Sequence, residues 1–560
     1  MPHTLTGRLA TRLAALAGWR ADLAAALAGG TSALALPPLH IVPALLIGIP
    51  VLLCLIQGAG RPAMAARRGW WFGFGLHVAG LYWVTEAILI EAARYWWLVP
   101  FAVPALAAVL AVFIAIPAAV TWYAAPLDTH PRPAPRAAAR AAAAPGAASG
   151  GAPGTAPATP SRHVRPGYAL PGWRTALTLA GAWVLADLAR QFVATGFPWN
   201  PLGSVWEFPG RAGDIMIQVA SLIGVHGMTL ATILLAALPL LGWTWRAGGL
   251  AVLAMWFAFG LVRLAQPLPP GPDLTVLLIQ GNVAQGQKWD RALMVSIFRH
   301  YLDLTRQAVD QVDHADSGNH PAVVVWPETA SAAQLQTDTA ARELIAEAAG
   351  DFQALIGSVR FDPAGRPRNS LFALGANGLI ESIYDKWHLV PFGEYQPDWL
   401  PVGIQVVPGG GFARGPGPTT LHVPGLPPVG VLICYEAIFS HQVIDPVDRP
   451  EWIINVTNDA WFGNSAGPRQ HLAAARLRAV EEGLPLLRAA NTGISAGFDA
   501  KGHELGRLGL QTTGGLPLRL PAPLAMPLYA RLGLVLPGGI AFLVLIIGLL
   551  GKPGNDRERY

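Results

Sequence analysis

Charge is what this chain has least of: Asp, Glu, Lys and Arg make up 13% of its 560 residues, against about 25% in an ordinary soluble domain. Together with 52% hydrophobic residues and a mean hydropathy of +0.39, that shortage excludes a soluble enzyme, a disordered chain and a coiled coil. The cation surplus is thin, 39 Lys and Arg against 34 Asp and Glu, or +5, too small to point to nucleic-acid binding. Cysteine is nearly absent. Cys54 and Cys434 cannot build a disulfide framework. The composition is that of a membrane protein.

Apolar runs of about 20 residues, enough to cross about 30 Å of hydrocarbon, cluster before residue 266, at roughly 8–28, 33–57, 69–90, 98–125, 173–193, 214–242 and 247–265. Arg8, Arg12, Arg20 and Asp22 interrupt the first. An eighth runs from about Leu532 to Leu550. No small-residue cleavage site follows the first run, so it reads as a span rather than a leader. The expected organisation is a seven-span bundle over 1–266, a globular domain over 270–527, and a final span with its tail over 531–560. The stretch from about 126 to 167 is Ala/Pro/Gly-rich, with too little apolar bulk to pack, and reads as a disordered loop.

Arginine placement gives the orientation. Arg61, Arg67 and Arg68, then Arg132, Arg136, Arg140, Arg162 and Arg165, then Arg246, and finally Lys552, Arg557 and Arg559 all fall on the N-terminal side. Arg94 and Arg211 are the exceptions. Positive charge stays inside, so the 270–527 domain is expected outside the cytoplasm, on the periplasmic face of a bacterial inner membrane.

Within that domain short β-branched runs alternate with helical segments: TVLLIQ (275–280), VVVWPE (323–328), ALIGSV (354–359), SLFALG (370–375), VGVLICY (429–435) and WIINVT (452–457). The strands are apolar on both faces, which argues α/β with a covered sheet. Glu328, Lys386 and Cys434 sit where strands end. Taken singly each has a bland reading: a solvated turn acid, a surface lysine, an inert buried thiol. Together they suffice for acyl transfer without metal or cofactor. A thiol needs a base to become nucleophilic, a Glu can carry the proton, and an ammonium with a nearby backbone N–H can hold the developing oxyanion. Their separations carry no local information, so the fold must bring them together.

With its Glu–Lys–Cys set the domain resembles the nitrilase superfamily. The segments TGFPWNPLG (195–203), QVASLIGVHG (218–227), LIQGNVAQGQKWD (278–290), WPET (326–329), YDKWHLVPFGEY (384–395), GVLICYEAIF (430–439), NVTNDAWFGNSAGPRQHLAAARLRAVE (455–481) and RAANTGISA (488–496) together resemble its membrane-bound acyltransferase members over nearly the whole chain. The resemblance implies an α-β-β-α sandwich with Cys434 as nucleophile, Glu328 as general base and Lys386 as oxyanion cation. It implies that Glu394 supports the base and positions the lysine, that Tyr435 N–H is an oxyanion donor with Glu436 beside it, and that Trp289 handles substrate. His388 and Trp387 read as structural. Asn458, Asp459, Trp461 and Phe462 form a loop suited either to the site rim or to architecture. The implied reaction moves an sn-1 acyl chain from a phospholipid to the α-amine of a diacylglyceryl-modified apolipoprotein cysteine. Trp199, in the GFPWNPLG loop, is expected at a lateral entrance. The competing readings are a membrane-anchored amidase or nitrilase cleaving a small C–N bond, and a transporter. Transporters place ionisable groups within their spans, whereas Glu86, Asp187 and Arg190 here lie near span ends.

Overall fold

The computed structural model describes residues 5–90, 92–125, 170–315, 321–396 and 411–551. The Ala/Pro loop expected at 126–167 and the cationic tail lie outside the described residues. Among these, the apolar helical run Ala92–Ala124 and the helices Ala220–Leu240 and Trp243–Ala265 are long and apolar enough to cross a membrane. Shorter apolar helices cover Val42–Gln57 and Val535–Leu550. The stretch 8–28, expected as one span, is two helices, Leu5–Ala14 and Trp19–Ala33, separated at Gly18 with φ 57°. Glycine enters that left-handed region without steric cost, so the chain turns there rather than continuing.

Among the described residues after 274, twelve strands form two six-stranded sheets. The first sheet contains β1 (Thr275–Gln280), β2 (Ala322–Ser331), β3 (Gln353–Phe361), β4 (Pro367–Leu374), β5 (Ile380–Asp385) and β12 (Gly514–Arg519), in the order β12-β1-β2-β3-β4-β5. The second contains β6 (Thr420–Leu421), β7 (Val429–Ile433), β8 (Trp452–Thr457), β9 (Leu486–Ala490), β10 (Ser495–Phe498) and β11 (Glu504–Leu508), in the order β11-β10-β9-β8-β7-β6. β1, β2 and β3 are parallel, as are β7, β8 and β9.

Side-chain alternation explains why these strands carry no polar face. Val276 and Leu278 of β1 and Val323 and Val325 of β2 meet Val431, Ile433, Ile454 and Val456 between the sheets. Their neighbours Leu277, Ile279, Val324 and Trp326 point the other way, against Tyr301, Leu302 and Ile345 of the helices Met294–Ala315 and Thr339–Ala349. The second sheet is covered likewise: Leu432, Ile453 and Leu486 pack on Leu472, Ala475 and Ala479 of the helix Gly467–Glu482. The central strands of both sheets are therefore buried on both faces, which makes four layers, α-β-β-α.

The sandwich and the helical bundle share two apolar clusters. Trp83, Trp199 and Leu110 of the bundle pack with Tyr435, Ile438, Phe439 and Ala466. Met216, Ile217, Val225 and Trp256 pack with Leu477 and Val480. Between them Arg476 donates to Glu207 at 2.8 Å and to Asp214, all three largely buried. Charges taken out of water must be paired in this way.

Candidate active site

The carboxyl ends of β2, β5, β7 and β8 converge on one side of the sandwich. β5 runs antiparallel to β4, and β4 antiparallel to β3, so β5 points the same way as the parallel strands. Glu328 stands late in β2, after the ladder to β3 loses register between Trp326 and Ser331. Lys386 directly follows β5, Cys434 follows β7 and Asn458 follows β8. Strand ends of this kind are where open α/β sheets place their ligands.

The structure brings the three expected residues together. Lys386 Nζ lies 3.2 Å from Glu328 Oε1 and 2.8 Å from Glu394 Oε1. Asn369, on β4, donates to the same two oxygens at 2.7 and 3.0 Å. Glu328 Oε2 accepts the backbone N–H of Asn458 at 2.9 Å, and Glu394 Oε2 accepts that of Val390 at 2.8 Å. Lys386 is 1% exposed, and Glu328 and Cys434 are 6% exposed.

Burial alone would raise Glu328, but the ammonium groups of Lys386 and Lys288 and the Asn369 hydrogen bond more than offset it and hold the carboxyl below its ordinary value. For Lys386 burial pulls down, and the charges of Glu328 and Glu394 win, so its pKa rises. Burial, and then the Glu328 charge, push the Cys434 thiol up against the opposing pull of Lys386. These directions leave Cys434 a thiol, Glu328 a carboxylate and Lys386 an ammonium. A carboxylate beside a thiol can, chemically, accept its proton.

Cys434 has φ 52° and Thr329, next to Glu328, has φ 46°, a left-handed region that non-glycine residues avoid at about 1–3 kcal/mol each. At Cys434 this turn swings the chain from β7 into the short helix Cys434–Ile438. Glu436 holds the turn. Its carboxylate accepts Ile433 N–H at 2.6 Å, Trp387 N–H at 2.8 Å and His388 N–H at 3.2 Å, and also the Tyr384 hydroxyl. It thus ties the Cys434 turn to the Lys386 segment. Burial, opposed by those N–H groups, pushes Glu436 up to about 7.

The other expected residues fall differently. Trp289 is 46% exposed and stands outside the charged trio. Its neighbour Lys288 turns inward instead, donating to the Glu328 carbonyl at 2.9 Å, and burial pushes it down to about 8. Trp199 is 3% exposed and packs at the seam with the bundle rather than on an open rim. Tyr435 sends its hydroxyl to the Gly196 carbonyl at 2.8 Å, so the residue after Cys434 is anchored to the GFPWN loop. His388 stacks on Phe439 with 2° between the rings and meets Gln442 at 2.8 Å, and burial pushes it down to about 4.

Asn369, Lys288, His471 and Arg488 were not legible as site residues from the sequence. Asn369 lies in RNSLFALG, which reads only as a strand. His471 and Arg488 belong to quoted motifs but resemble ordinary helix and strand residues until their partners are seen. Cys434, Asp459 and His471 bring potential metal-ligating atoms within 4.8 Å of one another. However, both nitrogens of His471 are engaged, by Cys434 O and Asp459 Oδ1 at 2.9 Å each, and Arg488 donates to Asp459 Oδ2 at 2.6 Å. The His471 and Asp459 side chains in this cluster are therefore already hydrogen-bonded to their protein neighbours.

Two families match the chain in succession: the apolipoprotein N-acyltransferase N-terminal domain over residues 28–238 and carbon-nitrogen hydrolase over residues 296–516. An apolipoprotein N-acyltransferase of Rhodopseudomonas palustris is 34% identical over 98% of each chain. The chain belongs to the apolipoprotein N-acyltransferase family. A second apolipoprotein N-acyltransferase, from Sinorhizobium medicae, is 36% identical over 92% of this chain and 93% of its own. A mutant Nesterenkonia amidase of the nitrilase superfamily matches 46% of this chain and 94% of its own at 18% identity, with a TM-score of 0.33. As an apolipoprotein N-acyltransferase family member the chain is an acyltransferase built on the carbon–nitrogen hydrolase fold; its GFPWN loop falls within the first matched region and β2 to β11 within the second.

Proposed function

We propose that this chain transfers a fatty acyl group from a phospholipid to the α-amine of the N-terminal diacylglyceryl cysteine of an apolipoprotein, in two half-reactions through a thioester on Cys434. The observation that carries the reading is the convergence of Glu328, Lys386 and Cys434 in one buried site whose nucleophile turn is bonded to the bundle through Tyr435.

Among the described residues Glu328 Oε1 accepts two donors and Oε2 accepts one. A carboxylate oxygen has two lone pairs, so Oε2 keeps one for a proton. In the first step that oxygen takes the Cys434 proton as Sγ bonds to the ester carbon. The oxyanion is held by Lys386, with the Tyr435 N–H as second donor. Collapse breaks the C–O bond, and Glu328 returns the proton to the departing lysophospholipid oxygen. In the second step the acceptor amine attacks the thioester, its proton passes to Glu328, and the thiolate leaves and is reprotonated. The chain is neither oxidised nor reduced.

Both substrates are lipid-anchored, and exposing a 16-carbon chain to water costs about 12 kcal/mol at roughly 0.8 kcal/mol per CH₂. A membrane-held catalytic half removes that cost. The proposed organisation is the eight-span one, with 1–266 and 531–560 in a Gram-negative inner membrane and 270–527 on its periplasmic face.

Intact-mass analysis of the full chain in phospholipid micelles tests the scheme. One added acyl group is expected on the wild type and none on Cys434→Ala, and a diacylated lipopeptide should discharge it. Ammonia released from small amides, with no acyl adduct, would favour the hydrolytic reading instead.

A further inference from the structure

The helix Gly467–Glu482 presents two consecutive polar residues to opposite partners. Gln470 is 4% exposed. Its side-chain oxygen accepts the indole N–H groups of Trp83 at 2.9 Å and Trp199 at 2.8 Å. Its amide nitrogen donates to the carbonyls of Pro37 at 3.1 Å and Gly80 at 3.2 Å. All four bonding positions of the amide are thus filled by the bundle. His471, fully buried, faces the site: Nε2 donates to the carbonyl of Cys434 at 2.9 Å, while Nδ1 faces Asp459 Oδ1 at 2.9 Å and Arg488 Nη2 at 3.1 Å. The Trp199 ring packs on the His471 ring with centroids 5.6 Å apart, and Phe462 closes on both.

We infer that Gln470 and His471 are positioning residues through which the bundle's Trp83–Trp199 latch holds the nucleophile turn in its reactive geometry. The physical need is visible at Cys434, whose left-handed backbone persists only if its surroundings over-determine it. The His471 N–H fixes the carbonyl of that residue, Asp459 and Arg488 fix the imidazole, and Trp199 and Gln470 fix the helix that carries it. A catalytic half seated on the bundle therefore has its thiol aimed, and one that is unseated loses the aim. The inference rests on Cys434 being the nucleophile.

The test uses full-length protein in phospholipid micelles, with three readouts: the rate of acyl-enzyme formation by quenched intact mass, the KM for phospholipid, and the rate of Cys434 alkylation by iodoacetamide. Losing one buried hydrogen bond corresponds to about a tenfold change. His471→Leu, which removes the single bond to the Cys434 carbonyl, is expected to slow both acylation and alkylation about tenfold per folded molecule. Gln470→Leu, which empties all four bonds of the amide, is expected to slow both by at least about tenfold, with KM for phospholipid unchanged in either variant. His471→Gln, whose amide can replace the Nε2 donor, is expected to recover most of the rate. Acylation and alkylation at the wild-type rate in the folded fraction of both Leu variants would overturn the inference, and so would a His471→Gln no faster than His471→Leu. A wild type that takes no acyl group, while its variants still alkylate more slowly, would instead remove the thioester reading and leave the coupling standing.

Discussion

Lys386 sits closer to Glu394 than to Glu328, 2.8 Å against 3.2 Å. The ammonium is therefore anchored by one carboxylate and leans on the other, and Glu394 also takes the second hydrogen of the Asn369 pair. Removing one partner of a buried ion pair costs about 3–5 kcal/mol. Glu394→Ala is expected to lower thermal stability by that order and transfer activity by at least about a hundredfold. Circular dichroism melts and lipopeptide acylation measure the two. Full activity in Glu394→Ala would show that Lys386 needs only Glu328.

The left-handed backbone at Cys434 makes a prediction about stability rather than rate. Glycine adopts such angles freely, whereas an alanine there keeps the strain. Cys434→Gly and Cys434→Ala are both expected to be inactive, with the glycine variant more stable by about 1 kcal/mol. Equal melting temperatures would mean that the turn is not strained.

Glu436 predicts a pH effect. Its folded value of about 7 lies above the ordinary 4.5, so between those values the folded chain holds a proton that the unfolded chain has released. Stability from this group is full below about pH 4.5 and is lost as pH rises through 7. The melting temperature of wild type should fall more from pH 5 to pH 8 than that of Glu436→Gln, which cannot titrate. Parallel curves for the two proteins would assign the pH dependence elsewhere.

Arg476 links the halves through Glu207 and Asp214. Arg476→Met leaves two buried carboxylates without their cation, and it is expected to destabilise by about 3–5 kcal/mol. Adding back the charge as Arg476→Lys should restore only part, because one ammonium cannot reproduce the forked geometry. Calorimetry in detergent would detect both effects, and a Met variant as stable as wild type would contradict the pairing.

Much of the catalytic half was legible because alternation leaves a strong trace. TVLLIQ and WIINVT have no polar face, and the structure shows why: one set of side chains fills the space between the sheets, and the other meets helices. Glu328, Lys386 and Cys434 were singled out because acyl transfer can be built from those three groups, and the structure sets Lys386 3.2 Å from Glu328 in a buried place. Asn369 was not, since a strand asparagine gains meaning only when two carboxylates arrive from 328 and 394. Trp289 drew attention as the aromatic in QKWD, yet the adjacent lysine is the one that reaches the Glu328 carbonyl. Trp199 was assigned to an entrance on the strength of its loop. Its buried indole N–H bonds to Gln470, 271 residues further along, a separation no local pattern reports.

The saturated amide of Gln470 has a consequence for how such an enzyme diverges. Greasy surfaces tolerate sliding, but a side chain whose every donor and acceptor is already taken permits a single registration of the two halves. Substitutions can drift around it, whereas the seam itself can be re-cut only if two indoles and two carbonyls find new partners at the same moment.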